Sequence, residues 1–391
     1  MRYNFDKVID RSGTSAEKVE GLKHIWGRTD LIPLWVADMD FATAPFVTDA
    51  IRKRCENEVL GYTGKPDSYY NAIINWVKQR YDLVVAKEMI NFVPGIVPGI
   101  GMAMNCFTQK GDKVMIQPPV YHPFAWVTTR NERTLVINPL KWENGMYRMD
   151  LDAFREQIKG CKLFILCNPH NPGGVVWTEA ELRAIADICY DEKVLVFSDE
   201  IHADLTLPPH THRPFATVSE KARMNSVTFM SPSKAFNMPG LSASHALIFN
   251  EDLRKRFRIY MDAGELDMGH VFAFLSVEAA YSHGTEWLDQ CLAYIQGNID
   301  FVDDFLKNHA PKIKAIRPEA SYLVWLDCRE LKLSQKDLNE FFVDKAHLAL
   351  NDGEMFGKEG IGFMRLNVAS PRCIIEKAMK QLADAYQLYR K

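Results

Sequence analysis

The chain has no apolar run approaching the ~18 residues that a membrane-crossing helix needs. None of its eight cysteines forms a Cys-x-x-Cys pair, so neither a zinc ribbon nor a redox dithiol is indicated. Charge of one sign is also missing. Forty-seven basic residues face 50 acidic ones, a net −3, which gives no electrostatic reason to expect nucleic acid or an acidic lipid surface as partner. The first residues, Met1-Arg2-Tyr3-Asn4-Phe5-Asp6, contain no apolar signal core. Export is therefore not expected, and cysteines set in apolar segments, such as Cys167 and Cys189, point to a reducing cytoplasm. Long linkers, internal repeats and low-complexity tracts are absent as well.

Nucleotide and hydrolase motifs are missing too. The glycines from Gly95 to Gly101 match neither Gly-x-Gly-x-x-Gly nor a P-loop, and no Gly-x-Ser-x-Gly nucleophile elbow occurs. His202, His210 and His212 invite a metal reading, but Pro208-Pro209 separates them within loop-like sequence, so no metal is expected.

What is present is an alternation of short buried runs and helix-like stretches. The runs are Ile90–Val93, Val114–Ile116, Leu163–Cys167, Val194–Phe197, Val227–Met230 and Ala246–Phe249. Between them, Glu179 to Ile188 has amphipathic helical spacing, with Thr178 placed as N-cap and Glu181 three residues on. Continuous apolar strands separated by helices predict an α/β fold, a mostly parallel sheet sandwiched by helices. After Gly284 the texture changes. A long helix is expected over 286–308, strands over 322–326 and 363–368, and helices over 335–345 and 372–390. The expected division is a large domain over 45–285 and a small α+β domain made of 1–44 and 286–391.

Three chemically distinct groups fall where buried runs end. Asn171 lies in Asn168-Pro169-His170-Asn171-Pro172-Gly173-Gly174, Asp199 follows Val194–Phe197, and Lys234 closes Ser231-Pro232-Ser233-Lys234. That edge of an open α/β sheet is where ligands bind. An amine, a carboxylate and an amide together suit pyridoxal 5′-phosphate. The amine forms a Schiff base, the carboxylate keeps the ring nitrogen protonated, and the amide meets the ring oxygen. Ser231 and Ser233 offer hydroxyls beside the lysine. The N–H groups of Ile96 and Val97, opening a helix after Gly95, suit the phosphate, and Tyr121 can stack on the ring. Two readings remain open for Asn171, which also suits the Pro-Gly-Gly turn. His202 is either a lining residue or a satisfied core histidine. Asp38 and Asp40 read as structural.

These pieces, with Arg365 in Met364-Arg365-Leu366-Asn367, resemble the fold-type I, aspartate-aminotransferase-like PLP enzymes over essentially the whole chain. Leu34-Trp35-Val36-Ala37-Asp38-Met39-Asp40-Phe41 resembles the MalY/PatB-type carbon–sulfur lyase branch, the cystathionine β-lyase-like enzymes. The resemblance implies that Lys234 carries the cofactor and moves protons, and that Arg365 holds the substrate carboxylate. It also places the Ala37 backbone and Asn171 near substrate, has His202 line the cofactor, and has Tyr62 reach the neighbouring subunit's phosphate in a homodimer. Tyr62 and Tyr121 are the tyrosines it offers for proton tuning. Ser242 stands where aminotransferases usually carry a phosphate-binding arginine, which favours the lyase outcome. An aminotransferase is the alternative, and a regulatory protein retaining the fold is a third.

Overall fold

The computed structural model describes residues 2–389. Its centre is a seven-stranded sheet in the spatial order Ile90–Val93, Ser244–Leu247, Ser226–Met230, Leu195–Asp199, Cys161–Cys167, Lys113–Ile116, Thr134–Ile137. All neighbouring pairs are parallel except those made by Ser244–Leu247, which runs antiparallel to both neighbours. The sheet is therefore mostly parallel, as the alternating runs predict.

The strands lack polar–apolar alternation because both faces are covered. Phe164 and Leu166 join Met115 and Val196 in one core. Leu163, Ile165 and Cys167 enter another with Val114, Ile116 and Phe197. Successive side chains of one strand thus feed opposite faces. The helix Glu179–Asp191 begins with the expected capping box. Glu181 N donates to Thr178 Oγ1 at 3.2 Å, and Thr178 N donates to a Glu181 carboxylate oxygen at 2.9 Å.

A second, antiparallel sheet contains Lys314–Ile316, Leu323–Asp327, Phe363–Asn367 and Asn351–Asp352 in that order. The short strand Ile32–Pro33 pairs in parallel with Leu348–Ala349. Phe5, Leu34, Trp76, Leu288, Leu366 and Tyr386 share one core, so the chain's two ends pack into the same apolar mass as residues of its middle.

Several boundaries differ from the sequence reading. The run at Ala246–Phe249 forms its strand two residues earlier: Ile248 N still reaches Met89 O in register at 3.0 Å, but Met89 N turns to Ala86 O at 2.9 Å and the ladder ends at Leu247. The single helix expected over 335–345 is α-helical over Gln335–Glu340 and π-helical over Phe341–Lys345. There Ala346 N reaches back to Phe341 O at 3.0 Å, and Phe341 and Phe342 are both buried. The closing helix covers Arg372–Tyr389, and Arg390 lies outside the described residues. Unanticipated elements include the helices Asp67–Tyr81 and Val271–His283, which pack on each other.

Candidate functional site

The C-terminal ends of the parallel strands open on a cavity of about 210 Å³. Lys234, Asp199, Asn171, Tyr121, His202, Ser233, Ile96, Val97 and Ala37 all line it. Each arrives by a local device. Leu195–Asp199 ends with its carboxylate at the rim, where Asp199 Oδ1 accepts the Ile201 N–H at 3.1 Å. The loop after Cys161–Cys167 is tied to its own strand, where Asn171 N donates to Cys167 Sγ at 3.3 Å, and to the segment after the neighbouring strand, where His170 meets Pro119 O at 2.9 Å. Past Ile90–Val93, Gly95 takes φ 142°, a conformation disfavoured for residues with a Cβ, and the helix Ile96–Phe107 starts. The first N–H groups of that helix lack intrahelical acceptors and open at the cavity.

Lys234 is the buried amine. Its Nζ donates to Ala37 O at 2.7 Å, and desolvation, the largest influence, pulls its pKa from 10.5 to about 8. Asp38 and Asp199 oppose that shift, while Arg365 adds to it. Burial raises Asp199 from 3.8 to about 7; its hydrogen bond from Ile201 works against the rise, Glu200 adds to it, and Lys234 offsets it only weakly. The carboxylate is thus a buried acceptor short of a cation. His202 is lowered to about 3, first by burial and then by Lys234 and Arg365, and its Nδ1 has no hydrogen-bond partner. Burial also raises the Tyr121 hydroxyl.

Arg365 stands on the strand Phe363–Asn367 of the second sheet and is 3% exposed. Nη1 donates to Asn171 Oδ1 at 3.1 Å, and Nη2 donates to Asn351 Oδ1 at 2.5 Å and Trp35 O at 3.1 Å. Its Nε is buried with no partner, and its guanidinium lies 4.8 Å from the Phe356 ring centroid. Desolvation lowers its pKa to about 10, so it stays a cation at neutral pH.

Two expected residues, Ser231 and Tyr62, lie outside the lining of this cavity. Ser231 is buried behind the cavity wall. Its hydroxyl donates to Ala243 O at 2.8 Å and accepts from Ser233 N at 3.1 Å. Tyr62 is 98% exposed, on a non-helical segment that borders a separate surface depression with Met268 and His270. Of the three histidines weighed as ligands, His202 lines the cavity, and His212 pairs with buried Glu200 at 2.7 Å. His210 lies 3.7 Å from Glu319.

Three supporting residues escaped sequence reasoning. Tyr322 OH donates to Ala37 O at 2.9 Å, Asn351 pins Arg365, and Asn367 Nδ2 donates to Val36 O at 2.6 Å and Asp38 O at 2.7 Å. A polar residue flanking or interrupting an apolar strand was the available signal. Together the groups can hold a cation at Asp199, a carboxylate at Arg365 and a mobile proton at Lys234.

Known proteins share this architecture. The chain is 38% identical over 384 residues to cystathionine beta-lyase PatB of Bacillus subtilis, covering 98% of this chain and 99% of that protein. Cystalysin of Treponema denticola, whose crystal structure contains pyridoxal 5′-phosphate, superposes with a TM-score of 0.96 at 34% identity, covering 99% of both chains. The PLP-bound C–S lyase of Staphylococcus hominis superposes with a TM-score of 0.91 at 36% identity, covering 98% of both chains. Residues 29–382 match the family model of the class I and II aminotransferases, and the chain belongs to that family.

Proposed function

We propose that the chain is a pyridoxal 5′-phosphate-dependent carbon–sulfur β-lyase, which splits a sulfur amino acid into pyruvate, ammonia and a thiol. The observation that carries this is the pairing of a buried amine, Lys234, with a buried carboxylate short of a cation, Asp199, in one cavity. The residues fit the cofactor. Lys234 would hold its aldehyde carbon, Asp199 its cationic ring nitrogen, Asn171 its ring oxygen, and Tyr121 its ring face. The Ile96 and Val97 N–H groups and Ser233 would hold its phosphate, and Ser231 would brace Ser233. The unpartnered His202 Nδ1 would offer a further polar contact.

Bound there, the cofactor supplies an electron sink for the pair released when the substrate's α-proton leaves. The chain's own residues do the rest. The Arg365 fork takes the substrate α-carboxylate bidentately and fixes its orientation, with Asn171 and Asn351 holding the fork's plane. The Lys234 amine, once released, takes the α-proton; a pKa near 8, against 10.5 for a free lysine, brings a neutral fraction within reach close to physiological pH. The Ala37 carbonyl and the Tyr322 hydroxyl keep that amine aimed into the cavity.

The finer organisation belongs to the same reading. The large unit spans 45–285, and the small one joins 1–44 to 286–391. The working form is a cytoplasmic homodimer in which Tyr62 completes the neighbouring site, a role its exposure supports. Eight free cysteines suit a reducing compartment. The test has two parts: borohydride trapping with peptide mapping, then pyruvate and thiol release from cystathionine and cysteine S-conjugates. Amino-group transfer to a keto acid without pyruvate release would replace the lyase with an aminotransferase.

A further inference from the structure

The segment Trp35–Phe41 is tied down along its length. Asn367 takes the carbonyls of Val36 and Asp38, and Asn237 takes those of Met39 and Phe41 while accepting Met39 N at 3.0 Å. Arg365 takes Trp35 O. Only the Ala37 carbonyl is turned toward the Lys234 amine. Beneath this strap lie two carboxylates and two cations. Arg11 Nη2 meets Asp38 at 2.6 Å and its Nη1 meets Asp40 at 3.0 Å. Lys18 Nζ meets Asp40 at 2.8 Å and Asp38 at 3.7 Å, and also reaches Asp38 O at 3.4 Å. Asp40 further accepts the Ser370 hydroxyl, and Trp35 Nε1 donates back to Lys18 O at 2.9 Å.

Lys18 stands out in this cluster because its side chain is fully buried, while Arg11, Asp38 and Asp40 each keep some solvent. Burying an ammonium is strongly unfavourable unless carboxylates compensate it. A surface stem of the helix Glu17–Trp26 would meet solvent at no such cost. The placement therefore needs a reason beyond the packing of that helix. Asp38 follows Ala37 directly, and its charge acts on the Lys234 amine.

We propose that Lys18 is a positioning residue for catalysis: by neutralising Asp38 and Asp40 under the strap, it fixes the Ala37 carbonyl against Lys234 and sets the charge that the amine faces. This rests on the reading of Lys234 as the proton-moving amine. The other groups facing that amine are Asp199 from the sheet edge, Arg365 from the second sheet, His202 from the segment after Asp199, and Tyr322, whose hydroxyl shares the Ala37 carbonyl. None of them touches Lys18, so a change at position 18 reaches Lys234 through the strap.

The experiment measures the titration of the Lys234 amine in the full chain freed of cofactor, by competitive dinitrofluorobenzene labelling across pH with peptide mapping. Lys18→Met leaves one carboxylate uncompensated, and the amine's midpoint should rise by about one pH unit. Lys18→Met combined with Asp40→Asn restores the charge balance and should bring the midpoint back. Lys18→Arg keeps the charge and should stay near the parent. In the cofactor-loaded enzyme the acid limb of the kcat profile should move upward with the midpoint. A folded Lys18→Met chain with an unmoved midpoint overturns the proposal. Should that variant not fold, Asp40→Asn alone must lower the midpoint, and its failure to do so overturns the proposal equally. Borohydride trapping at a lysine other than Lys234 would instead sink the underlying reading of the site.

Discussion

Arg365 Nη1 donates to Asn171 Oδ1 at 3.1 Å, joining positions 194 residues apart and binding the second sheet to the loop after Cys161–Cys167. The same guanidinium is held by Asn351 and by the Trp35 carbonyl, so a planar fork is already fixed before substrate arrives. Arg365→Lys keeps a cation but loses the fork. The expected loss is about 3–4 kcal/mol of transition-state binding, roughly 10²–10³ in kcat/KM, with cofactor still trapped by borohydride. Asn351→Ala leaves the fork but unpins it, and should raise KM about tenfold with a smaller change in kcat. Steady-state kinetics on one sulfur amino acid separates the two variants.

Lys234→Met should abolish borohydride trapping and lower turnover by about 10³-fold or more. Its effect on stability has a definite sign. The folded amine is depressed from 10.5 to about 8 by burial. A depressed group contributes stability that is present above its unfolded value and lost as pH falls through its folded value. The cofactor-free parent is therefore penalised progressively as pH falls from about 10.5 and in full below about 8, and the methionine variant escapes that penalty. Denaturant titrations should find the variant more stable than the parent near pH 6, by on the order of 2–3 kcal/mol, and the gap should close above pH about 10. A variant that loses stability at pH 6 would mean the amine is not desolvated.

Asp199 carries the opposite sign. Burial raises its carboxyl from 3.8 to about 7. A raised group's contribution is fully present below the unfolded value and is lost as pH rises through the folded one. Cofactor-free Asp199→Asn should match the parent near pH 4 and exceed it near pH 8, by on the order of 2–4 kcal/mol. Loaded with cofactor, the ranking should reverse, because an amide cannot hold a cationic ring nitrogen. Thermal melts of both forms across pH read this directly.

Much of this site was legible because strand ends are legible. Val194–Phe197 and Val227–Met230 are apolar on both faces, so their limits mark where Asp199 and Lys234 emerge, and Thr178 with Glu181 announces the helix that leads into the first of them. Residues that act through a neighbour were not. Lys18 reads as one more charge in Glu17-Lys18-Val19-Glu20, since nothing local says that Asp38 and Asp40 will meet it. The antiparallel direction of Ser244–Leu247 is set by its partners rather than by its own pattern. The hairpin Lys141–Glu143 with Met146–Arg148 did leave a signal: Asn144-Gly145, both at positive φ, is the two-residue turn that matches strand twist.

Gly174 tests how tightly the Asn171 loop is braced. It holds φ +68°, and an added Cβ would lie 2.4 Å from Pro318 Cβ. Its carbonyl accepts Glu319 N at 2.8 Å and Ala320 N at 3.0 Å, just before Tyr322. Gly174→Ala forces the loop and the Pro318–Ala320 segment apart, which displaces Asn171 and Tyr322 together. The expected cost is about 2–4 kcal/mol in denaturant unfolding, with activity lost beyond what the unfolded fraction explains. Unchanged kinetics in a destabilised protein would show that the loop moves independently of the site.

Tyr62 decides whether one chain suffices. At 98% exposure it contributes almost nothing to this chain's own packing, so Tyr62→Ala should unfold at the parental denaturant concentration. A role in the neighbouring site predicts weakened cofactor retention and lower kcat/KM despite that unchanged fold. Mixing supplies the sharper measurement. In a dimer of one Tyr62→Ala chain and one Lys234→Met chain, one site receives an intact lysine and an intact tyrosine, while the other receives neither. Each mixed dimer should regain about half of the parental activity, although both parent variants are impaired. No regain on subunit exchange, with exchange verified by tagged chains, would place Tyr62 outside its neighbour's chemistry and leave its exposed ring without a catalytic role.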